Sequence, residues 1–311
     1  MKKIDIILAS YNGEQYINAQ INSILQNFDN IEGYECRLII SDDASVDETC
    51  AIITKIQDKR VFLLDNSRKG GVKLNFSFLI NNSNADYIFF SDQDDIWLPN
   101  KLELFIRQFE VVGETKPLLI HSDLKIVDRD LNVISDSMFS SQNIYSEPTL
   151  GQLLVSNSVT GCVMAMNKLL LSKVKNKNFS ATVMHDWYIA LVAKCLGEII
   201  FLNSSTILYR QHGGNQVGSI ERKLHDYFSV RKIIQFIKKS KKSIEETKIQ
   251  AVHFLDEFGS QINNEERQFI EEYIKSFSTW AIISRVKLFF SARIGKKGIA
   301  RNLIFFFLYV F

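Results

Sequence analysis

Four short polar clusters hold the residues whose types and spacing could do chemistry. Asp92-Gln93-Asp94, extended by Asp95, follows the apolar run 87–90 and presents carboxylates in an Asp-x-Asp arrangement. Carboxylate oxygens are the hard ligands that Mg²⁺ or Mn²⁺ prefers when it also holds a diphosphate. Ser41-Asp42-Asp43 follows a second apolar run, Ser10-Tyr11-Asn12-Gly13 follows a third, and His185-Asp186-Trp187 sets a carboxylate beside an imidazole. Taken singly, each has a plain structural reading: Asp92–Asp95 as an acidic loop before the helix that starts near Pro99, Asp42-Asp43 as a turn and N-cap. His185 reads equally as a surface or helix-end residue, and Trp187 as core or as a platform for an acceptor.

The elements that must position these clusters decide between the readings. Residues 4–9, 36–40, 61–64 and 87–90 are short runs rich in β-branched or aromatic residues, each closed by a turn or an acidic cluster. Helical spacing separates them over about 14–26 and 47–56, and again from Gly70-Gly71 to about 81. Such alternation predicts an α/β fold with a mostly parallel sheet covered by helices, whose ligands bind beyond the carboxyl ends of the strands. The first three clusters all stand at strand ends, so one shared site is expected. Further strand-like pieces at 118–121, 161–166 and 199–202, and a helix over 186–195, complete this domain. From about residue 220 the pattern becomes long and helical, which places a boundary near Gly218: a catalytic domain over 1–218 and a helical C-terminal region over 219–311.

Four pieces occur in an order that resembles the family-2 glycosyltransferases of the GT-A fold: Ala9-Ser10-Tyr11-Asn12, Ser41-Asp42-Asp43-Ala44-Ser45-Val46-Asp47, Asp92 through Pro99, and His185-Asp186-Trp187. The resemblance covers about residues 1–215. It implies a nucleotide-sugar donor, with Asp43 accepting the N3–H of a uracil or thymine base, Asp42 as its substitute, and Ala9 and Tyr11 beside the nucleotide. It implies that Asp94 holds a divalent cation, Mg²⁺ or Mn²⁺, while Asp92 contacts the ribose or sugar; which carboxylate ligates directly stays open. Asp186 matches the family's general base, and Trp187 is the candidate acceptor contact. The stretch 208–215 resembles the segment in which a histidine meets the metal or diphosphate, so His212 is a candidate ligand and Arg210 a candidate phosphate cation, ahead of the glycines Gly213 and Gly214. Lys69-Gly70-Gly71 and Asn75 occupy the position of a loop beside the nucleotide.

The net charge of +2 is too small to imply a nucleic-acid partner. Cys36, Cys50, Cys162 and Cys195 lack metal-type spacing and read as reduced thiols. The apolar run after Met1-Lys2-Lys3 is too short for a secretory signal, so a cytoplasmic enzyme is expected. After Glu272 no acidic residue occurs, whereas Lys275, Arg285, Lys287, Arg293, Lys296, Lys297 and Arg301 do, interleaved with Trp280, Phe289 and Phe290. That pattern, with the apolar ending 303–311, predicts peripheral attachment to the inner face of the cell membrane; packing within the C-terminal region is the competing reading. A surface-bound enzyme would have ready access to a polyprenyl-diphosphate-linked saccharide acceptor. The Ser-Asp-Gln-Asp-Asp cluster with His-Asp-Trp looks most like the rhamnosyltransferase-type branch that builds O-antigen or capsule, implying dTDP-L-rhamnose. A UDP-hexose donor is the alternative, and a noncatalytic sugar-nucleotide-binding protein is the reading from another class. A nucleotidyltransferase would need a glycine-rich loop after the first strand, where only Gly13 stands.

Overall fold

The computed structural model describes residues 1–212, 230–278, 280–291 and 294–311. The Gly213-Gly214 loop, the boundary near Gly218 and Arg293 lie outside the described residues.

Strand and helix alternate from the start: β1 (Lys2–Ser10), α1 (Ile17–Asp29), β2 (Tyr34–Asp42), α2 (Thr49–Thr54), β3 (Val61–Asp65), α3 (Val72–Asn82) and β4 (Tyr87–Ser91). There follow β5 (Ile96–Trp97), α4 (Lys101–Val112), β6 (Leu118–Val127), β7 (Val133–Ser135), α5 (Met138–Ser141), α6 (Leu150–Val155), β8 (Met164–Asn167), α7 (Lys168–Val174), α8 (His185–Leu196) and β9 (Glu198–Arg210). Four helices end the chain: α9 (Val230–Phe258), α10 (Asn264–Lys275), α11 (Ile282–Ser291) and α12 (Ile299–Val310).

The strands form one sheet in the order β3-β2-β1-β4-β8-β6-β9-β5, with β7 paired to β6. The expected parallel arrangement holds for β3, β2, β1 and β4. Beyond β4 the sheet becomes mixed, because β8 runs antiparallel to both β4 and β6 while β6 and β9 are parallel. Strand β8 is short and preceded by a 3-10 turn at Gly161–Val163, so the strand expected from 161 begins only at Met164.

Strand β1 shows why the sequence folds this way. Ile4, Ile6 and Leu8 face one core while Ile7 and Ala9 face the other, as a central strand buried on both sides requires. Asp5, the carboxylate interrupting that run, is fully buried yet satisfied: Arg37 donates to it twice at 2.8 Å and the Ser83 hydroxyl donates at 2.7 Å.

The C-terminal helices pack against the sheet's helical cover. Ala251, Phe254 and Phe258 of α9 share a core with Tyr188 and Ile189 of α8. Phe305, Tyr309 and Val310 of α12 are buried there too, and the Tyr309 hydroxyl shares a 2.6 Å hydrogen bond with Ser276. Among the described residues, no helix is long and apolar enough to cross a membrane.

Candidate active site

Register brings the polar clusters together. In the parallel pairing Ser10 stands beside Asp42 and Leu8 beside Ser91, so the turns after β1, β2 and β4 leave one rim of the sheet side by side. Two of those turns are laced together: Asn12, at a positive φ of 47°, receives the Val46 N–H on its side-chain oxygen at 3.0 Å, and its own N–H donates to the Ser45 hydroxyl at 2.8 Å. Gln93 clamps the third, accepting the Tyr11 N–H and donating to the Tyr11 carbonyl, both at 2.9 Å. A Cβ on Gly13 would lie 2.2 Å from the Gln93 amide oxygen, so a larger residue there would push the Gln93 side chain off Tyr11.

The rim opens on a cavity of about 430 Å³ whose lining includes Ala9, Tyr11, Asp43, Asn75, Asp92, Asp94 and Asp186. The structure therefore unites seven of the ten expected site residues. It also separates the roles of the two neighbouring aspartates. Asp42 faces inward and organises its turn, accepting from the hydroxyls of Ser10 (2.8 Å) and Ser45 (2.6 Å) and from the Ser45 N–H (2.7 Å). Asp43 lines the cavity and accepts the backbone N–H groups of Lys69, Gly70 (2.9 Å) and Gly71 (2.6 Å). Burial alone would raise its pKa, but these three donors outweigh it and hold the carboxyl below its usual value. Asn75 is anchored through its N–H₂ to the Ser41 carbonyl at 2.8 Å, and its amide oxygen has no protein partner.

Asp186 enters from the other half of the domain, as the second residue of α8. It accepts the N–H of Gly161 at 3.1 Å and of Trp187 at 2.6 Å, yet burial still pushes its carboxyl up to about 6. Asp92 is raised to about 7 by burial, and then by the charges of Asp94 and Asp186. His212 Nε2 lies 2.8 Å from the Asp94 carboxylate. The Asp94 carboxylate and the His212 imidazole, 2.8 Å apart, are donors of a kind that Mg²⁺ or Mn²⁺ accepts, while the potential ligand atoms of Asp92, Asp95 and Cys162 lie within 4.8 Å of one another beside them.

Three expected residues stand elsewhere. Trp187 does not line the cavity: its ring is buried and its N–H donates to the Leu153 carbonyl at 2.6 Å, so as placed it packs the start of α8 and offers no acceptor platform. Arg210 is buried as well, and its guanidinium donates to the carbonyls of Asp94 (3.0 Å) and Arg129 and lies 4.8 Å from the Tyr16 ring. It braces the acidic turn from behind, and among the described residues the cation that lines the cavity is Arg68. His212 sits outside the lining, at the last described residue before 230, with its ring 4.8 Å from that of Tyr16. His185 opens α8, as the helix-end reading expects, but it is not at the surface: it is buried against Phe76, ring centroids 4.1 Å apart, and burial drives its imidazole down to about 3, so it is neutral.

Sequence reasoning missed several contributors. Gln93, Tyr16 and Arg68 carried no chemical pattern of their own, although Arg68 precedes Lys69-Gly70-Gly71. Lys101 is fully buried beneath the acidic turn, donates to the Cys162 carbonyl at 2.7 Å, lies 3.8 Å from the Trp97 ring centroid, and is pushed by burial down to about 7. Asp95 turns inward to the same place, its carboxyl raised by burial and by the charges of Asp94 and Asp92, and accepts the Arg210 backbone N–H at 3.2 Å.

Comparison with known proteins agrees with this geometry. The model of the family described as "Glycosyl transferase family 2" matches residues 5–115. The dTDP-rhamnosyl transferase RfbG of Shigella flexneri is 30% identical over 229 residues, covering 68% of this chain and 74% of its own. The UDP-Glc:alpha-D-GlcNAc-diphosphoundecaprenol beta-1,3-glucosyltransferase WfaP of Escherichia coli is 28% identical over 219 residues, covering 69% and 80%. Among solved structures, S. aureus TarS 1-349 superposes with a TM-score of 0.57 at 15% identity, covering 94% of this chain and 73% of that one. The α/β architecture is that of the GT-A fold.

Proposed function

This chain belongs to glycosyltransferase family 2, and from that premise we propose that it is a metal-dependent, inverting enzyme that moves L-rhamnose from dTDP-L-rhamnose to a polyprenyl-diphosphate-linked saccharide in cell-surface polysaccharide synthesis. The observation that carries the mechanism is the convergence of Asp43, the Asp92–Asp94 pair and Asp186 on one cavity. Asp43 keeps lone-pair capacity after its loop contacts and meets the N3–H of the base, with Tyr11 and Ala9 as the nucleotide wall. Asn75 offers its unpartnered amide oxygen to the nucleotide. Asp94 and His212 would hold the cation, with Asp92 toward the ribose or sugar, and a bound cation would stabilise the charge that builds on the departing diphosphate. Arg210 keeps the Asp94 turn in place.

Asp186, on the far side of the cavity, takes the proton from the acceptor hydroxyl as that oxygen attacks the anomeric carbon. The bond to the nucleoside diphosphate breaks on the opposite face, so configuration inverts and no covalent enzyme intermediate forms. The 30% identity with RfbG supports the rhamnose donor, and WfaP, whose name includes a diphosphoundecaprenol acceptor, supports the lipid-linked acceptor. WfaP equally supports a second reading, a UDP-hexose donor. The test is nucleoside-diphosphate release from a panel of dTDP- and UDP-sugars with Mg²⁺ or Mn²⁺ and extracted acceptor lipid. Release from dTDP-L-rhamnose alone is the expected result; release from a UDP-hexose instead would transfer the proposal to that donor. Binding without release, with every acceptor, would favour the noncatalytic reading.

Access to such an acceptor fits a cytoplasmic enzyme held at the membrane surface. Helices α11 and α12 leave Ile283, Phe290, Ile299 and Phe307 exposed, as are Trp280 just before α11 and Phe311 just after α12, Trp280 to 94% and Ile283 to 85%, with Lys287 exposed among them. Part of the basic charge is used internally, since Arg285, Lys297 and Arg301 donate to backbone carbonyls. Deleting 298–311 would also strip Phe305 and Tyr309 from the core, so substitutions on the exposed face give the cleaner test. Replacing Ile283 and Phe307 together by Glu is expected to weaken sedimentation with anionic phosphatidylglycerol vesicles by about 10-fold or more, because each large apolar side chain contributes on the order of 1.5–3 kcal/mol when buried. Unchanged sedimentation would rule these side chains out as the anchor, and equal binding of the wild type to neutral vesicles would rule out a contribution from the basic residues.

A further inference from the structure

The catalytic carboxylate hangs on a segment that has no regular structure of its own. Between α7 and α8 the chain runs irregularly through 177–184 before His185 and Asp186 open the helix. Such a segment must take its position from the side chains that grip it. Two elements do so. From the nucleotide side, Lys73 of α3 donates through Nζ to the carbonyls of Ser180 at 3.0 Å and Thr182 at 2.6 Å. From the opposite side, α9 supplies Gln250, whose amide oxygen accepts the Val183 N–H at 2.9 Å, and His253, whose Nε2 lies 2.7 Å from the Asn178 carbonyl. Lys177 pairs with Glu257 one turn further along α9, at 3.3 Å.

Gln250 is the unusual member of this set. It is 1% exposed, in a helix whose neighbouring Ala251 and Phe254 are buried apolar core. An amide buried in such surroundings is costly unless it is hydrogen-bonded, and its partner here is a backbone N–H three residues before Asp186. The same helix packs His253 on the ring of Tyr188, two residues after Asp186, with centroids 5.4 Å apart. Helix α9 therefore holds the chain on both sides of the carboxylate.

We propose that Gln250 is a positioning residue for the transfer reaction: by holding Val183 it sets the direction in which Asp186 faces the cavity. The C-terminal helices are then part of the catalytic unit as well as a candidate membrane contact. This rests on the reading of Asp186 as the base, and the variants separate the two ideas.

The experiment compares Gln250→Leu, Gln250→Asn and Gln250→Glu in the full chain. Leu keeps the approximate shape without an acceptor, Asn keeps an amide but withdraws it by one methylene, and Glu restores an oxygen at the same reach. Displacing a reacting group by about 1 Å can cost on the order of 100-fold, so kcat is expected to fall about 10- to 100-fold in Gln250→Leu while the donor KM and donor Kd stay within about twofold. Gln250→Asn should fall between Leu and wild type, and Gln250→Glu should recover most of kcat. If Gln250→Leu does not fold, Gln250→Asn is read in the same way. An unchanged kcat overturns the proposal, as does a loss that donor binding and melting temperature share and that Glu does not rescue, because Gln250 would then be structural only. Should Asp186→Asn retain turnover, it is the base assignment that fails; a dead Asp186→Asn beside a fully active Gln250→Leu sinks the positioning role alone.

Discussion

Asp186→Asn is expected to bind the donor with wild-type affinity and to lose about 100- to 10,000-fold in kcat, the range that a positioned general base contributes. Asn keeps the size of the side chain and an oxygen able to accept one of the two N–H groups, from Gly161 and Trp187, that fix Asp186. What it loses is the basic lone pair, so the defect should appear in kcat with the donor Kd unchanged. The pH profile supplies an independent readout. Burial raises the Asp186 pKa from 3.8 to about 6, and only the ionised form accepts a proton. Wild-type kcat should therefore rise with pH through about 6 and level off above it, and the residual activity of the Asn variant should lack that limb. The linkage to stability has the opposite sign. Because the folded pKa is raised, this group's stabilising contribution is complete below the unfolded value near 3.8 and is lost as pH rises through about 6. Loss of stability in acid thus cannot account for an acid limb in kcat caused by this residue. A variant that turns over at the wild-type rate would remove Asp186 from the mechanism.

The first half of the molecule was legible because its signals are local. Each of β1, β2 and β4 is an apolar run ended by polar residues, and parallel pairing through short crossovers leaves little choice about where those ends meet. That is why Ala9, Tyr11, Asp43, Asp92 and Asp94 could be joined into one site from sequence order. The second half resisted because its organisation is set at a distance. The antiparallel insertion of β8 between β4 and β6 follows from tertiary pairing, and nothing in Met164-Ala165-Met166-Asn167 specifies direction. Trp187 and Arg210 were misjudged for a related reason: side-chain chemistry suggested a platform and a phosphate cation, but direction decided otherwise, turning one toward Leu153 and the other toward the back of the Asp94 turn. Composition could not distinguish Asp42 from Asp43 either. Position does so in the structure: Asp42 closes β2 and joins the Ser10–Ser45 network, while Asp43, the first residue beyond the strand, lines the cavity. The helical nature of the C-terminal region was plain from its periodicity, whereas the grip of α9 on 177–184 depends on contacts across some seventy residues of sequence, such as Val183 to Gln250.

Asp94→Ala is expected to abolish the dependence of donor binding on the cation and to lower kcat/KM by about 100- to 1000-fold, comparable with the loss of one preorganised charge-stabilising group at a reacting centre. Asp94 is the carboxylate that both lines the cavity and meets His212, and its backbone carbonyl is held by Arg210, so its side chain is a fixed point of the acidic turn. Removing it leaves Asp92 as the cavity-lining carboxylate of the pair, and relieves Asp92 of the neighbouring charge that helps raise its pKa to about 7. Titrating Mn²⁺ against the wild type should show tighter binding as pH rises from 6 to 8, because the cation competes with the proton on Asp92, whose carboxyl is raised to about 7. In Asp94→Ala that dependence should flatten while overall affinity falls. His212→Ala should weaken the cation by a smaller factor, since the imidazole lies at the edge of the acidic cluster. If donor binding in wild type proves indifferent to Mg²⁺, Mn²⁺ and chelator alike, the carboxylates of this turn act on the sugar and ribose alone. Among the described residues, Arg68 would then be the cavity-lining cation left to meet the diphosphate.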